Sequence, residues 1–204
     1  MTIQVKTFIE PPLWNNNYVV IDTESHEAIL IDCSNATDEI MNYIKDQKAS
    51  LKYILLTHGH FDHVLGVNYF KNNYHVPVYL AEKDKQLLSQ INSYMSFLHM
   101  SDVDVPKIDG YIDDKIFTIG SYTIKIISTP GHTPGSVCYQ LNNLVFSGDT
   151  LFHNSHGRTD FPGGNDEDMK NSLKLLFHTL SDDTIVYPGH GENTIIQAER
   201  HLYT

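Results

Sequence analysis

The chain is poor in cysteine, in basic residues and in long apolar runs, and each shortage excludes something. Its two cysteines, Cys33 and Cys138, form no Cys-x-x-Cys pair and sit in apolar surroundings. Two buried free thiols in a reducing compartment are therefore expected, not a disulfide framework. Lys and Arg number 14 against 25 Asp and Glu, for a formal net charge of -11, and the basic residues are scattered. Binding a polyanion normally needs a basic face, so nucleic acid is not an expected partner. No apolar run approaches the roughly 20 residues that span a bilayer, and residues 1–12, which carry Lys6 and Glu10, lack the apolar stretch of a secretion signal. No membrane association and a cytoplasmic location are the expectation. Within those limits, 204 residues with 41% hydrophobic and 19% charged side chains suffice for a soluble protein with a substantial core, in one large domain or two small ones.

Hydrophobic periodicity orders the chain. Residues 3–8 alternate apolar and polar side chains as a half-buried strand does, and Pro11-Pro12 with Asn15-Asn16-Asn17 read as the turn after it. Residues 18–21 and 28–31 read as a hairpin whose polar tip contains an exposed His26, residues 37–47 as a helix, and residues 53–56 as a buried strand. A helix over 64–72 follows, then a strand over 76–80 that Pro77 pushes toward a sheet edge or a strand start, and a helix over 82–91. Residues 94–100 form a Met and aromatic patch, read first as core beneath a long loop and second as one wall of a substrate pocket. Asp102, Asp104 and Asp109 in the loop 101–114 lack calcium-loop spacing and read as solvated charge. Strands are expected over 115–119, 122–128, 137–141 and 144–146, with Asn142-Asn143 as a tight turn, then a helix over 166–180, a strand over 184–187 and a short helix over 193–203. Strands with helices, twice over, suggest two sheets packed face to face with helices outside.

The chemistry concentrates in Thr57-His58-Gly59-His60-Phe61-Asp62-His63, between the strand-like run 53–56 and the helix-like run from Val64. Imidazole nitrogen and carboxylate oxygen suit a borderline divalent ion, and two His separated by one residue project to one side of an extended segment. His58 and His60 can therefore grip one ion. The turn into the helix re-aims Asp62 and His63, which permits a second ion. A helix cap would explain Asp62 alone, but not three imidazoles beside it. Three later loops each end a strand and carry one candidate ligand among Gly or Pro: His132 in Thr129-Pro130-Gly131-His132, Asp149 in Ser147-Gly148-Asp149-Thr150, and His190 in Pro188-Gly189-His190-Gly191. One tetrahedral ion cannot use seven ligands, whereas two ions sharing a carboxylate can, and Asp149 is the natural bridge. His75, His99, His153, His156, His178 and His201 lack partner patterns and are assigned no catalytic role.

At these residues the chain resembles the metallo-β-lactamase fold superfamily, and within it the small glyoxalase II-like hydrolases, over nearly its whole length. The resemblance implies an αβ/βα sandwich of two mixed β-sheets with helices on the outer faces, as one domain over 1–204 without a separate C-terminal helical substrate domain. It implies His58, His60, His132 and Asp149 on one metal, and Asp62, His63, Asp149 and His190 on the other. The implied cofactors are two divalent ions, zinc first, iron or manganese otherwise. The implied reaction is hydrolysis of a small-molecule thioester, a hydroxyacylglutathione or related thiol conjugate, by a hydroxide held between the ions, with Asp62 orienting it. The run from Gly157 to Gly164 resembles that small subgroup and also persulfide dioxygenases, so a one-iron dioxygenase is the first alternative, and a hydrolase of phosphodiesters or lactones the next. Arg158 is expected first to pair with Asp160 and shape this loop, and second to face a substrate carboxylate.

Overall fold

The structure is a computed structural model that describes residues 3–202 apart from Pro12, Leu98 and Asp114. The expectations for residues 1–2, Pro12, Leu98, Asp114 and Tyr203 lie outside the described residues. In chain order the elements are β1 (Ile3–Glu10), β2 (Asn15–Asp22), β3 (Glu27–Ile31), α1 (Asp38–Asp46), β4 (Ser50–Leu55), α2 (Phe61–Val64), α3 (Val67–Tyr74), β5 (Val78–Leu80), α4 (Lys85–Ser89) and α5 (Ile91–Phe97). There follow β6 (Gly110–Tyr111), β7 (Phe117–Ile119), β8 (Tyr122–Ser128), β9 (Val137–Leu141), β10 (Leu144–Gly148), α6 (Asp166–Thr179), β11 (Ile185–Pro188), β12 (Thr194–Ile195) and α7 (Ile196–Glu199). The first six strands form one sheet in the order β1-β2-β3-β4-β5-β6, and the last six a second in the order β12-β11-β10-β9-β8-β7. Both mix parallel and antiparallel pairs. This is the expected sandwich of two mixed sheets with helices on the outer faces.

The layering follows from strand periodicity. Along β2, Val19 and Ile21 face the outer core under the helices while Tyr18 and Val20 face the second sheet. Leu30 and Ile29 divide likewise on β3, as do Ile54 and Leu55 on β4. In the second sheet Tyr139 and Phe146 point into the inter-sheet layer, and Cys138 and Val145 point out toward Leu173 and Leu176 of α6. Strands buried on both faces read as continuous apolar runs, which is why 28–31 and 53–56 carry so few polar residues. Both cysteines are buried and free.

Several local expectations change. Asn15, Asn16 and Asn17 do not form a turn; they begin β2 and are buried. Each is held by specific partners: Asn16 Nδ2 donates to the Pro188 and Gly191 carbonyls, and Asn17 Oδ1 accepts from the Ser34 backbone and hydroxyl. Tertiary hydrogen bonding here overrides the turn preference of Asn. The helix expected over 64–72 divides at Gly66 into α2 and α3, where the Gly66 N–H donates to the Cys33 carbonyl and not back along the helix, and a Cβ there would lie 2.3 Å from the Asn35 carbonyl oxygen. The helix expected over 82–91 resolves into a 3-10 turn at Glu82–Asp84, then α4, then α5, which continues to Phe97. Pro77 precedes β5, whose neighbours are β4 and β6, so it marks a strand start and not an edge. Asp109 is exposed as expected but not free, since its Oδ2 accepts from the Val78 backbone and pairs with Lys71. The C-terminal segment forms the short β12 before its helical turns.

Helix α6 starts as its sequence suggests, with Asn165 Oδ1 accepting from Glu167 N and Asp168 N, and Asp166, Glu167 and Asp168 in the first turn. The Asn165 backbone N–H also donates to Gly131, beside His132. Asn165→Ala should cost about 1 kcal/mol and lower the unfolding midpoint by roughly 2–4 °C, checked by thermal melting.

Candidate metal centre

All seven candidate ligands converge at one end of the sandwich, on loops that leave the C-terminal ends of strands. His58 and His60 follow β4, Asp62 and His63 lie on α2, His132 follows β8, Asp149 follows β10 and His190 follows β11. Backbone hydrogen bonds fix these loops to one another: Val137 N donates to Thr57, Gly189 N to Gly148, and Asn16 N to Gly189. The Tyr139 hydroxyl donates to the Leu56 carbonyl across the two sheets, at 2.7 Å.

Within the cluster, the ligating atoms of His58, His60 and His132 lie within 4.8 Å of one another, as do those of Asp62, His63 and His190, and those of His58, His63 and Asp149. The third group joins the other two. Asp149 sits at the junction, 3.4 Å from His63 Nε2 through Oδ1, and 3.4 and 3.6 Å from His132 Nε2 and His190 Nε2 through Oδ2. His60 Nδ1 and His132 Nε2 face each other at 2.8 Å.

Surrounding groups decide which nitrogen each imidazole presents. His132 Nδ1 lies 2.7 Å from the Arg158 carbonyl and His190 Nδ1 lies 3.2 Å from the Leu13 carbonyl, so both must donate there. His63 Nδ1 donates to Asp32 Oδ2 at 2.9 Å. The Thr57 hydroxyl spends its proton on Asp32 Oδ2, so at His58 Nδ1, 3.1 Å away, it accepts. Four histidines thereby keep Nδ1–H on outer partners and turn Nε2 inward, the arrangement in which outer partners orient metal-ligating imidazoles. His58 Nε2, His60 Nε2, His63 Nε2 and Asp149 Oδ1 are buried without a hydrogen-bond partner. Buried polar atoms are rarely left unpaired, and these four sit in one cluster of nitrogen and oxygen donors of the kind a divalent ion prefers. The residues present fit a metal.

Electrostatics agrees. Burial, then the neighbouring imidazoles, pushes His58 well below the ordinary histidine range, and burial with His132 takes His60 down to about 3, so both offer lone pairs at neutral pH. Burial also opposes charge on His63, but Asp32, Asp149 and Asp62 outweigh it and raise this group. Burial works against Asp62 and Asp149 as anions, yet His63 and the other imidazoles hold both below the usual carboxylate range. The cluster favours positive charge at its centre.

Among the described residues the seven candidates read from the sequence lie together, while the residues that position them were not singled out there. Asp32 accepts from Thr57 N at 2.7 Å and from the Thr57 hydroxyl at 2.8 Å besides His63. Its signal was a lone carboxylate at the end of an apolar strand. Asn15 Nδ2 donates to Asp62 Oδ2 at 2.9 Å. Asp84 is fully buried and accepts from Gly59 N, Gly135 N and the Thr133 hydroxyl, clamping the His58–His60 loop to the His132 loop. Nothing in its local sequence marks that role. Gly189 leaves no room for a side chain, since a Cβ would lie 2.2 Å from Asp149 Oδ1 and 2.9 Å from His63 Cε1. Gly189→Ala should therefore displace Asp149 and weaken metal retention by about 10–100-fold, read as metal content after dialysis with the circular dichroism spectrum unchanged.

Above the cluster opens a cavity of about 1030 Å³ whose lining includes His60, Asp62, His132, Asp149 and His190. Tyr94 and Phe97 of α5 form part of its wall, while Met95 between them packs in the core. The patch at 94–100, read first as core, thus contributes wall as well. Arg158 pairs with Asp160 through two hydrogen bonds of 2.6 Å.

With this geometry described, the family is plain. Residues 11–190 match the family model of the metallo-beta-lactamase superfamily. The chain belongs to the metallo-β-lactamase superfamily. Among curated proteins, it is 34% identical to the probable metallo-hydrolase YqgX of Bacillus subtilis, covering 93% of this chain and 90% of that one. It is 30% identical to the hydroxyacylglutathione hydrolase GloC of Haemophilus influenzae, covering 92% and 91%. Among solved superfamily structures, the B3 metallo-beta-lactamase BLEG-1 superimposes with a TM-score of 0.88 at 30% identity over 98% of this chain and 100% of that one. TTHA1623 in a di-iron-bound form superimposes with a TM-score of 0.85 at 30% identity over 95% and 96%. Among the described residues no helix is long and apolar enough to cross a membrane.

Proposed function

We propose that the protein is a binuclear metal-dependent hydrolase of small-molecule thioesters. One observation carries the reading: histidines whose Nδ1–H is held by outer partners converge with Asp149 on unpaired donor atoms at the floor of an open cavity. His58, His60, His132 and Asp149 would hold one ion and Asp62, His63, Asp149 and His190 the other, with zinc first and iron or manganese as alternatives these ligands also accept. Bound there, divalent ions lower the pKa of a coordinated water toward about 7 and polarise a substrate carbonyl.

The chain's own residues supply placement. Asp62 lines the cavity with Oδ2 pinned by Asn15, so its carboxylate is set to orient the attacking water. Thr57, Asp32, Leu13 and Arg158 hold the imidazoles in fixed orientation before substrate arrives, so none of that ordering is left for the reaction step. Water adds to the carbonyl carbon, the carbon–sulfur bond breaks, and the thiolate leaves to be protonated by solvent, giving one acid and one thiol. No protein nucleophile is required: burial pushes the thiols of both Cys33 and Cys138 up, and neither lines the cavity. The likeness to GloC supports the thioester as substrate class.

The test is metal-reconstituted protein assayed on thioesters of glutathione, bacillithiol and coenzyme A. The expected result is two ions per chain and thiol release that chelation abolishes. One iron per chain with oxygen uptake on a glutathione persulfide would replace this reading, as would cleavage of β-lactams without cleavage of any thioester.

A further inference from the structure

One wall of the cavity presents polar groups that are not committed to the protein. Gln90, Ser93, Tyr94 and Phe97 all line it, at the spacing of a single helix face. Gln90 caps α4, and the Ser93 and Tyr94 N–H groups both donate to its carbonyl, so the helical turn runs from Gln90 into α5. Two anchors fix which face meets the cavity. Ile91 and Met95 are buried in the core, and the Asn92 side chain exchanges two hydrogen bonds with the Val103 backbone.

Gln90, Ser93 and Tyr94 each carry an uncharged hydrogen-bonding group, and none of these side-chain groups has a hydrogen-bond partner among the described residues. Ser89 and Asn92, which do not line the cavity, are bonded instead, Ser89 Oγ donating to the Gln86 carbonyl. A ligand can therefore engage the three cavity-facing groups without breaking a protein hydrogen bond. The stripe starts beside the metal centre, since the Tyr94 ring lies 6.4 Å from that of His60. Aromatic rings flank it: Phe161 lies 5.8 Å from the same imidazole, and Phe97 is largely exposed on the next turn. Helical rise places Gln90 and Phe97 about 10 Å apart along the axis, the length of a short substrate arm.

The chemistry of the stripe selects its ligand. Gln90 presents a planar amide with a donor and an acceptor edge, and each hydroxyl can donate or accept. A secondary amide answers this set, because its N–H and C=O point opposite ways in one plane while its flat faces suit aromatic rings. A hydrocarbon would leave the three polar groups unanswered, and a sugar would turn hydroxyls against Phe97 and Phe161. Resting on the hydrolase reading, we propose that Gln90, Ser93 and Tyr94 form a subsite for a secondary amide that the substrate carries within a few bonds of its thioester.

The test couples a substitution in the protein to one in the ligand, on metal-loaded protein. In one series the amide lies in the thiol carrier: hexanoyl-N-acetylcysteamine is compared with the hexanoyl thioester of 4-methylpentane-1-thiol, in which carbon replaces the amide nitrogen and oxygen. In the other it lies in the acyl group: the N-acetyl-β-alanyl thioester of ethanethiol is compared with the 5-methylhexanoyl one. Gln90→Leu and Tyr94→Phe each remove the polar group and nearly keep the volume. In one of the two series, each variant is expected to lower kcat/KM for the amide-bearing member about threefold to tenfold more than for its hydrocarbon isostere, with metal content unchanged. The series that responds identifies the arm lying along α5. Calorimetry on the products repeats the comparison without turnover, with N-acetylcysteamine against 4-methylpentane-1-thiol and N-acetyl-β-alanine against 5-methylhexanoate. Equal losses for both members in both series would overturn the proposal and leave the hydrolase reading standing. If no thioester is cleaved, the hydrolase reading falls and the product pairs still decide the subsite: a selective loss for an amide-bearing product upholds it, and equal losses in both pairs overturn it.

Discussion

Asp149→Ala is expected to lower kcat/KM by about 10³-fold or more and to abolish the stabilisation that added metal confers. The carboxylate lies within 3.4–3.6 Å of the Nε2 atoms of His63, His132 and His190, so it reaches both ligand groups. In the proposed binuclear site, removing it would break the link between the ions and take charge stabilisation worth several kcal/mol from the reaction, at about 1.4 kcal/mol per factor of ten. Its effect on metal is separable from its effect on folding. An ion at about 1,000 times its dissociation constant should stabilise the wild-type protein by roughly 4 kcal/mol, on the order of 8–16 °C for a chain of this length. The variant should show little of that shift, and its melt in chelator reads separately the folding cost of losing the contacts with His63, His132 and His190. Paired melts with and without zinc, alongside metal analysis, check both halves. Full metal content and an unchanged rate in Asp149→Ala would remove the central claim.

The contrast between Asp149 and Asp32 shows what a sequence makes legible. Ligands on tight Gly and Pro loops announce themselves by composition: His132, Asp149 and His190 each follow an apolar run and sit beside glycine, and the 57–63 cluster is dense enough to stand alone. The sandwich was legible for a similar reason, since strands buried on both faces leave continuous apolar runs such as 28–31. The supporting residues were not, because their partners are distant in the chain: Asp84 reaches Gly135 across 51 positions and Asn15 reaches Asp62 across 47. Local propensity then misled. Three consecutive asparagines favour a turn, but here their amides satisfy backbone and side-chain groups around the metal centre and hold a strand start. Short helices suffered similarly, as the Gly66 N–H leaves the helical ladder for the Cys33 carbonyl, a distant partner that the apolar period does not reveal.

Asp32 carries the second large effect, and Asp32→Asn exposes it without disturbing the backbone. The residue adopts φ of +60°, which asparagine tolerates better than any β-branched or bulky replacement. The carboxylate accepts three hydrogen bonds, from Thr57 N on Oδ1 and from the Thr57 hydroxyl and His63 Nδ1 on Oδ2. An amide must keep its oxygen toward Thr57 N, since the opposite orientation sets donor against donor, so its NH2 faces the other two groups. His63 can then accept only through a bare Nδ1, which moves its proton to Nε2, the atom that faces Asp149. The Thr57 hydroxyl, now an acceptor toward residue 32, turns its proton to His58 Nδ1 and reverses that tautomer too. One isosteric change thus withdraws a lone pair from each ligand group. Metal affinity is expected to fall by about 100-fold or more, from roughly 10–100-fold for each disturbed ligand, and stability in chelator by about 1–3 kcal/mol from the buried mismatch. Competition against a chelator of known affinity measures the first, and thermal melts in excess chelator the second. Nitrogen NMR of labelled histidine in the zinc-loaded protein reports which ring nitrogen carries the proton. An Asp32→Asn variant that binds metal as tightly as wild type, with Nδ1–H retained on His58 and His63, would show that the orientation of these imidazoles does not depend on this carboxylate.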